Sequence, residues 1–218
     1  MKFEKQTLLA FALGAASISA MAVPATPGAA PITIDFEGVN SFASVGEYNN
    51  GGTDSAGNSD TDYGVSFTPS VMGLANDAVD TYFSNAPSPL NVMYATDSAA
   101  YMNVALGFVD LASFYYSSTT AAPNAIQIFS GLNGTGSVLG SFSLNLNTPQ
   151  GCTGALYCNF EKTTVVFSGV ARSIAFGGNN GNVAFDDVTI TPVPEASTYA
   201  MLALGLGAIG LYARRRTV

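Results

Sequence analysis

Two short acidic stretches carry the residue types best suited to chemistry: Asp35-Phe36-Glu37 near the start of the chain's polar body and Phe185-Asp186-Asp187-Val188 near its end. Grouped carboxylates serve three ends. They hold a hard cation such as calcium, which takes about six to eight oxygen ligands. They act as the acid, base or nucleophile of a glycosidase, which needs only two acids at a suitable separation. Or they sit in solvent and cap turns. Residues 31–192 contain thirteen Asp and Glu against only Lys162 and Arg172, a net charge of −11, so few basic groups are at hand to offset neighbouring acids. Apolar alternation in the last stretch changes phase at the acid pair: Val183 and Phe185 share one face, Val188 and Ile190 the other. That break predicts a β-bulge turning one acid inward. Glu37, Asp35, Asp186 and Asp187 are therefore candidate ligands of a structural calcium ion, with a catalytic carboxylate pair and plain solvated acids as competing uses.

The composition excludes other chemistry. The chain has no histidine, which removes a Ser-His-Asp triad and any His-ligated metal centre. The acidic body has no basic patch for nucleic acid or for an anionic lipid surface. No enzyme activity is expected. A second acidic run, residues 54–62, is a further calcium candidate with a solvated loop as the competing reading; no glutamate stands at the twelfth position from Asp54 or Asp60, so it does not fit an EF-hand. Tyr48, Tyr63, Tyr82, Tyr94, Tyr101, Tyr115 and Tyr116, with Asn49, Asn50, Asn91 and Asn103, are candidates for stacking on and hydrogen bonding to sugar rings. Half-buried strand tyrosines are the alternative, and the chain has no tryptophan.

The elements that must position these groups read as strands. Short runs rich in Val, Ile, Phe, Tyr and Thr alternate with Gly, Asn, Asp and Pro. Strands are expected at 32–37, 63–68, 90–94, 101–109, 111–117, 125–129, 137–144, 163–167, 172–176 and 182–191, with an ambiguous segment at 69–89 that holds a short strand or a turn near 79–83. Asn133-Gly134 marks a hairpin between two of them. Ser168-Gly169 is the turn between 163–167 and 172–176, and 177–181 is a tight turn. The polar stretch 40–62 is too long for an idle loop. No sustained 3.6-residue period appears, so the body is expected to be an all-β, antiparallel β-sandwich over residues 32–192.

Both ends read as addresses. Lys2 and Lys5 precede an apolar run at 7–18, and Ala20-Met21-Ala22 is a small-x-small cleavage site. This predicts a signal peptide over 1–22, its apolar part helical, and a flexible leader over 23–31. An exported chain meets an oxidising compartment, where Cys152 and Cys158 are expected to pair. At the other end stand Val193-Pro194-Glu195-Ala196-Ser197, an apolar run and then Arg214, Arg215 and Arg216. Extended back to Ala196, that run is about eighteen residues, or roughly 27 Å of helix, near the thickness of a bilayer's hydrocarbon core. A transmembrane helix is expected over 198–213, with the arginines on the cytoplasmic side.

This tail, residues 193–218, resembles a PEP-CTERM protein-sorting signal, with Ala196 in place of the second proline of the motif. The resemblance implies recognition by a membrane-embedded exosortase, transient residence in the inner membrane, removal of the helix, and delivery to the cell surface or extracellular matrix. The body resembles jelly-roll carbohydrate-binding modules in its terminal Phe-Glu and Asp-Asp-Val. That implies adjacent terminal strands, with Glu37 matching the first motif and Asp186 or Asp187 the second, around a structural calcium. The expected function is a non-catalytic, exported matrix protein that binds exopolysaccharide. The alternatives are a secreted glycan hydrolase or lyase using a carboxylate pair, and a purely structural or adhesive matrix protein.

Overall fold

The computed structural model describes residues 30–148, 154–179, 181–194, 204–206 and 209. Ten strands occur among them: β1 (Ile32–Ile34), β2 (Val65–Phe67), β3 (Val71–Ala75), β4 (Asn91–Ala95), β5 (Tyr101–Ser118), β6 (Ala122–Phe129), β7 (Val138–Leu144), β8 (Glu161–Val166), β9 (Ala171–Ala175) and β10 (Val183–Pro192). Among the described residues of the body, helix is limited to two short 3-10 turns. No helix of the described residues is long and apolar enough to cross a membrane. The expected signal helix at 1–22 and most of the expected transmembrane helix lie outside the described residues.

β5 is the element that joins the fold. Its first part pairs with β2 and β9, and its second part, from Phe108 onward, pairs with β10 and β8. Between Asn103 and Phe108 the register slips. Gly107 makes the bend: its φ is +90°, and an added Cβ would overlap Val170 Cγ1 and stand 2.9 Å from the Ala171 carbonyl. Two strands were expected at 101–109 and 111–117, and one bent strand is found. Gly107→Ala is expected to cost about 2 kcal/mol, read by denaturant unfolding, because it adds both backbone strain and overlap.

The bend folds one half of the strands over the other, and every strand pairing is antiparallel. Phe114 is the centre of the core between them. Its ring meets Tyr116, Phe142, Phe176 and Phe185 edge to face at 5.7–6.4 Å between centroids. A smaller apolar cluster of Leu74, Phe83, Val92, Tyr157 and Ala184 lies apart from this core.

Three further expectations are corrected. β1 ends at Ile34 rather than 37, because the Asp35 carboxylate accepts the Glu37 N–H and Phe36 takes φ +60°. Within 69–89 the strand is β3, at Val71–Ala75. The Asn76 side chain accepts the N–H groups of Tyr82 and Phe83, and so folds the residues after β3 into a loop. β8 pairs with β5, and β9 with β5 and β6, so these sequence neighbours take other partners rather than forming a hairpin together. The β6–β7 hairpin forms as expected, with Asn133 at φ +52° and Gly134 at +70°.

Candidate functional site

The terminal strands meet. β1 pairs with β10, placing Ile34 opposite Val188. β10's register against β5 shifts between Asp186 and Thr189, and Asp187 takes φ +48°. This is the expected bulge, and it turns Asp186 fully inward, at 0 % exposure, while Asp187 stays half-buried. Burial pushes the Asp186 carboxyl up to about 7, with the charge of Asp187 adding to the rise and hydrogen bonds from Ser88 opposing it.

Asp186 clasps a loop ninety-eight residues away in sequence. Ser88 N–H donates to Oδ2 at 2.9 Å, the Ser88 hydroxyl lies 2.8 and 2.9 Å from the two carboxylate oxygens, and Asp187 N–H donates to Oδ1 at 2.8 Å. The same hydroxyl oxygen is 3.0 Å from the Asp35 carbonyl and 3.3 Å from the Asn91 carbonyl. One hydroxyl hydrogen thus faces four acceptor oxygens. A proton on Asp186 or a cation among these oxygens settles that surplus.

Glu37 holds the same loop two residues further on, its Oε1 accepting N–H from Leu90 at 2.9 Å and from Asn91 at 3.0 Å. Asp35 gives its carbonyl to Ser88, while its carboxylate closes its own turn. The Asp187 carboxyl is raised by burial and by the charges of Asp35 and Glu37, with Lys162 opposing. The four acids therefore share one region, but among the described residues no three acidic or cysteine side chains are grouped as a metal site. The oxygens about Ser88 are hard donors of the kind calcium takes, two of them carbonyls that side-chain reasoning overlooks.

In the second acidic run, Asp54 is buried at 3 % exposure. It accepts hydrogen bonds from the N–H groups of Asn40, Ala56 and Asn58 and from the Asn58 amide. Burial raises its carboxyl, but these donors outweigh that and hold it below the usual range. It organises the 40–62 stretch.

The tyrosine candidates divide. Tyr48 and Tyr116 are core residues at 4 % and 1 % exposure, and Tyr48 donates to the Glu37 carbonyl at 2.7 Å. Asn49 and Asn91 are buried as well. Tyr101 packs against Gly134, while Asn103 and Asn133 bond reciprocally at 2.8 Å, pinning the β6–β7 turn. Lys162 lies 5.5 Å from the Tyr115 ring centre. Tyr63 and Asn50 are exposed, and Asn50 bonds Glu47.

Tyr82 and Tyr94 lie together on the smaller apolar cluster. Phe42, a residue the sequence did not single out, joins them. It stands edge-on to Tyr82 with centroids 5.7 Å apart and planes at 90°, and it is 52 % exposed. Its φ is +61°, unusual for a bulky aromatic residue. The Tyr82 hydroxyl donates to Asp80 at 3.2 Å, and Asn76 holds the Tyr82 backbone. The result is an aromatic ledge edged by carboxylate and amide groups.

Cys158 is disulfide-bonded, and no described cysteine is free. Cys152, Ala20, Ala22, Glu195, Ala196, Ser197 and Arg214, Arg215 and Arg216 lie outside the described residues. Val193 and Pro194 follow β10 directly, and Val193 N–H donates to the Gly107 carbonyl at 2.9 Å.

The PEP-CTERM protein-sorting motif matches residues 192–216. No curated protein matches the sequence. Among solved structures, the chain is similar to the CsCBM6-3 module of Clostridium stercorarium in complex with cellobiose, at 12 % identity and TM-score 0.39, over 74 % of this chain and 93 % of that one. It is also similar to the K2 cleaved adhesin domain of Lys-gingipain, at 14 % identity and TM-score 0.43, over 74 % and 99 %. The K1 cleaved adhesin domain of Lys-gingipain from Porphyromonas gingivalis W83 matches at 13 % identity and TM-score 0.39, over 76 % and 100 %.

Proposed function

We propose that this chain is a non-catalytic matrix protein that presents its aromatic ledge to an exopolysaccharide after export. The sorting motif implies export and a membrane-anchored precursor. The reading of the body rests on one observation: Phe42, half exposed, held edge-on to Tyr82 beside Asp80. Pyranose faces stack on such rings, and carboxylates and amides accept or donate to the hydroxyls around them. A hydrolase or lyase is disfavoured because the best-placed acids are committed elsewhere: Asp186 and Glu37 both accept N–H groups from residues 88–91.

Retardation of the full body in gels containing the host's own exopolysaccharide tests the binding. Phe42→Ala is expected to weaken it about tenfold, the equivalent of about 1.4 kcal/mol. Unretarded wild type, or a variant that binds as tightly, overturns the reading. Reducing-sugar release from the same polymer is expected to be nil.

Export and processing form the second half of the proposal. The signal peptide over 1–22 directs the chain out, the body folds over 32–192, and the helix over 198–213 holds it in the inner membrane until exosortase acts. Mass spectrometry of the C-terminus from hosts with and without exosortase tests this. An intact tail in both overturns it. Calcium is the proposed structural ion of the clasp, held by Asp186, the Asp35 and Asn91 carbonyls and Ser88. When bound it supplies positive charge that keeps Asp186 ionised. An unchanged melting temperature after chelation counts against it.

A further inference from the structure

The end of the sandwich from which the chain leaves for the membrane is itself apolar. Three segments form it. One is the β5 bend at 105–107. Another is the turn from Phe167 to Val170, joined to the bend by the close approach of Val170 to Gly107 and by the Phe167 N–H bond to Asp110. The last is the end of β10, where Pro192 pairs with Phe108 and Val193 N–H bonds the Gly107 carbonyl. Leu106 is 52 % exposed there and Val170 44 %. Immediately along β5 and β8, the cross-strand pair Leu111 and Val166 is exposed at 36 % and 75 %. Residues 105–111, 166–172 and 191–194 contain one acid, Asp110, and one base, Arg172, in a body whose net charge is −11.

Chain length determines what this end meets. From Val193, still bonded to the sheet, to Thr198, where the expected transmembrane helix begins, the chain advances five residues. Fully extended they reach at most about 18 Å. A ten-residue strand such as β10 spans about 33 Å. The tether is therefore shorter than the body it holds, so the domain cannot turn its opposite end to the bilayer without breaking the Val193 bond.

We propose that this end is a lipid-facing foot, with Leu106 and Val170 as its contacts, on which the anchored precursor rests at the outer surface of the inner membrane. The inference rests on the membrane-anchored reading of the tail. Exposed apolar side chains at the level of the headgroups favour such contact, and it needs no anionic lipid. After the tail is removed, the same residues are open to solvent or to the matrix.

The test uses the full chain with its disulfide oxidised, reconstituted in phosphatidylcholine vesicles that carry a headgroup-nitroxide lipid. A thiol-reactive fluorophore is placed singly through Leu106→Cys, Val170→Cys and, at the opposite end, Ser98→Cys, an exposed residue in the β4–β5 turn. Quenching at 106 and 170 is expected to exceed that at 98 by about threefold. Flotation with the vesicles reads the anchor separately. A chain that fails to float overturns the anchor and the foot together. One that floats with equal quenching at all three positions overturns the foot alone. Burial of position 106 that appears only when exosortase is added assigns the surface to the enzyme and overturns the lipid contact.

Discussion

In the presence of a chelator, the protein is expected to be more stable at pH 5 than at pH 8, and Asp186→Asn is expected to remove most of that difference. The Asp186 carboxyl is pushed up to about 7 in the folded chain, chiefly by burial, against about 3.9 when unfolded. Between those values the folded state keeps a proton that the unfolded state has released. Stability therefore falls as pH rises from about 4 to about 7, and the loss is complete above the folded value. The separation corresponds to a few kcal/mol at most, on the order of 4. Calcium is expected to reverse the sign of the comparison, because a bound cation favours the ionised carboxylate that high pH supplies. Thermal melts across that range, with and without calcium, measure both. A flat profile in chelator would mean that Asp186 is not held in the environment described. Asp186→Ala goes further, leaving the Ser88 and Asp187 N–H groups without their acceptor in a buried site, while the Ser88 hydroxyl keeps the Asp35 and Asn91 carbonyls. It is expected to cost about 3 kcal/mol.

Phe114→Ala is expected to be the most damaging single core substitution, at about 4 kcal/mol. Its ring is fully buried and meets four other aromatic rings. These come from its own strand β5, from β7 and β10, and from Phe176, which comes directly after β9. Removing it opens a cavity between the two halves of the sandwich, and rings held by neighbouring strands cannot collapse into it. Phe114→Leu, which fills more of the space, is expected to recover about half of the loss. Equilibrium urea unfolding reads both values from the transition midpoint. A loss below about 1 kcal/mol for the alanine variant would show that the two halves do not pack through this ring.

The two outcomes bear on different parts of the fold. Loss of Phe114 weakens the sandwich as a whole. Loss of Asp186 releases the Ser88 backbone N–H, while Glu37 still holds Leu90 and Asn91 and the Asn91 side chain stays bonded to Gly38 and Val39. Protection of the Leu90 and Asn91 amides from hydrogen exchange is expected to fall in the Asp186 variants before the β-ladder opens.

Much of the body was legible because its signals are local. Alternation along β10 showed both the strand and the phase change at Asp186 and Asp187, and the bulge lies there. Asn133-Gly134 marked the β6–β7 turn because an Asn-Gly pair accepts positive φ at both positions. The tail was legible for a similar reason: proline, apolar run and arginines succeed one another within one short stretch, and the sorting motif matches there. The body's acidity and the chain's lack of histidine are read by counting alone.

Distance along the chain hid the rest. Ser88 lies ninety-eight residues from Asp186, and nothing in its own neighbourhood marks it as the partner of a buried acid. β5 reads as two strands because Asp110 separates the runs 101–109 and 111–117, yet a single strand passes through it, bent at Gly107, and enters both halves. β8 and β9 read as a hairpin because a turn separates them, but β5 offers each a longer partner. Phe42 sits in a polar stretch and owes its position to β3, whose Gly73 carbonyl accepts the Phe42 N–H at 2.8 Å. Residue order alone determined that the chain is strand-built, acidic and tagged for sorting, since composition and short-range periodicity carry those properties. Only the tertiary structure decided which acid is buried, which loop it clasps and which rings face outward, because each depends on pairing between segments that no local pattern connects.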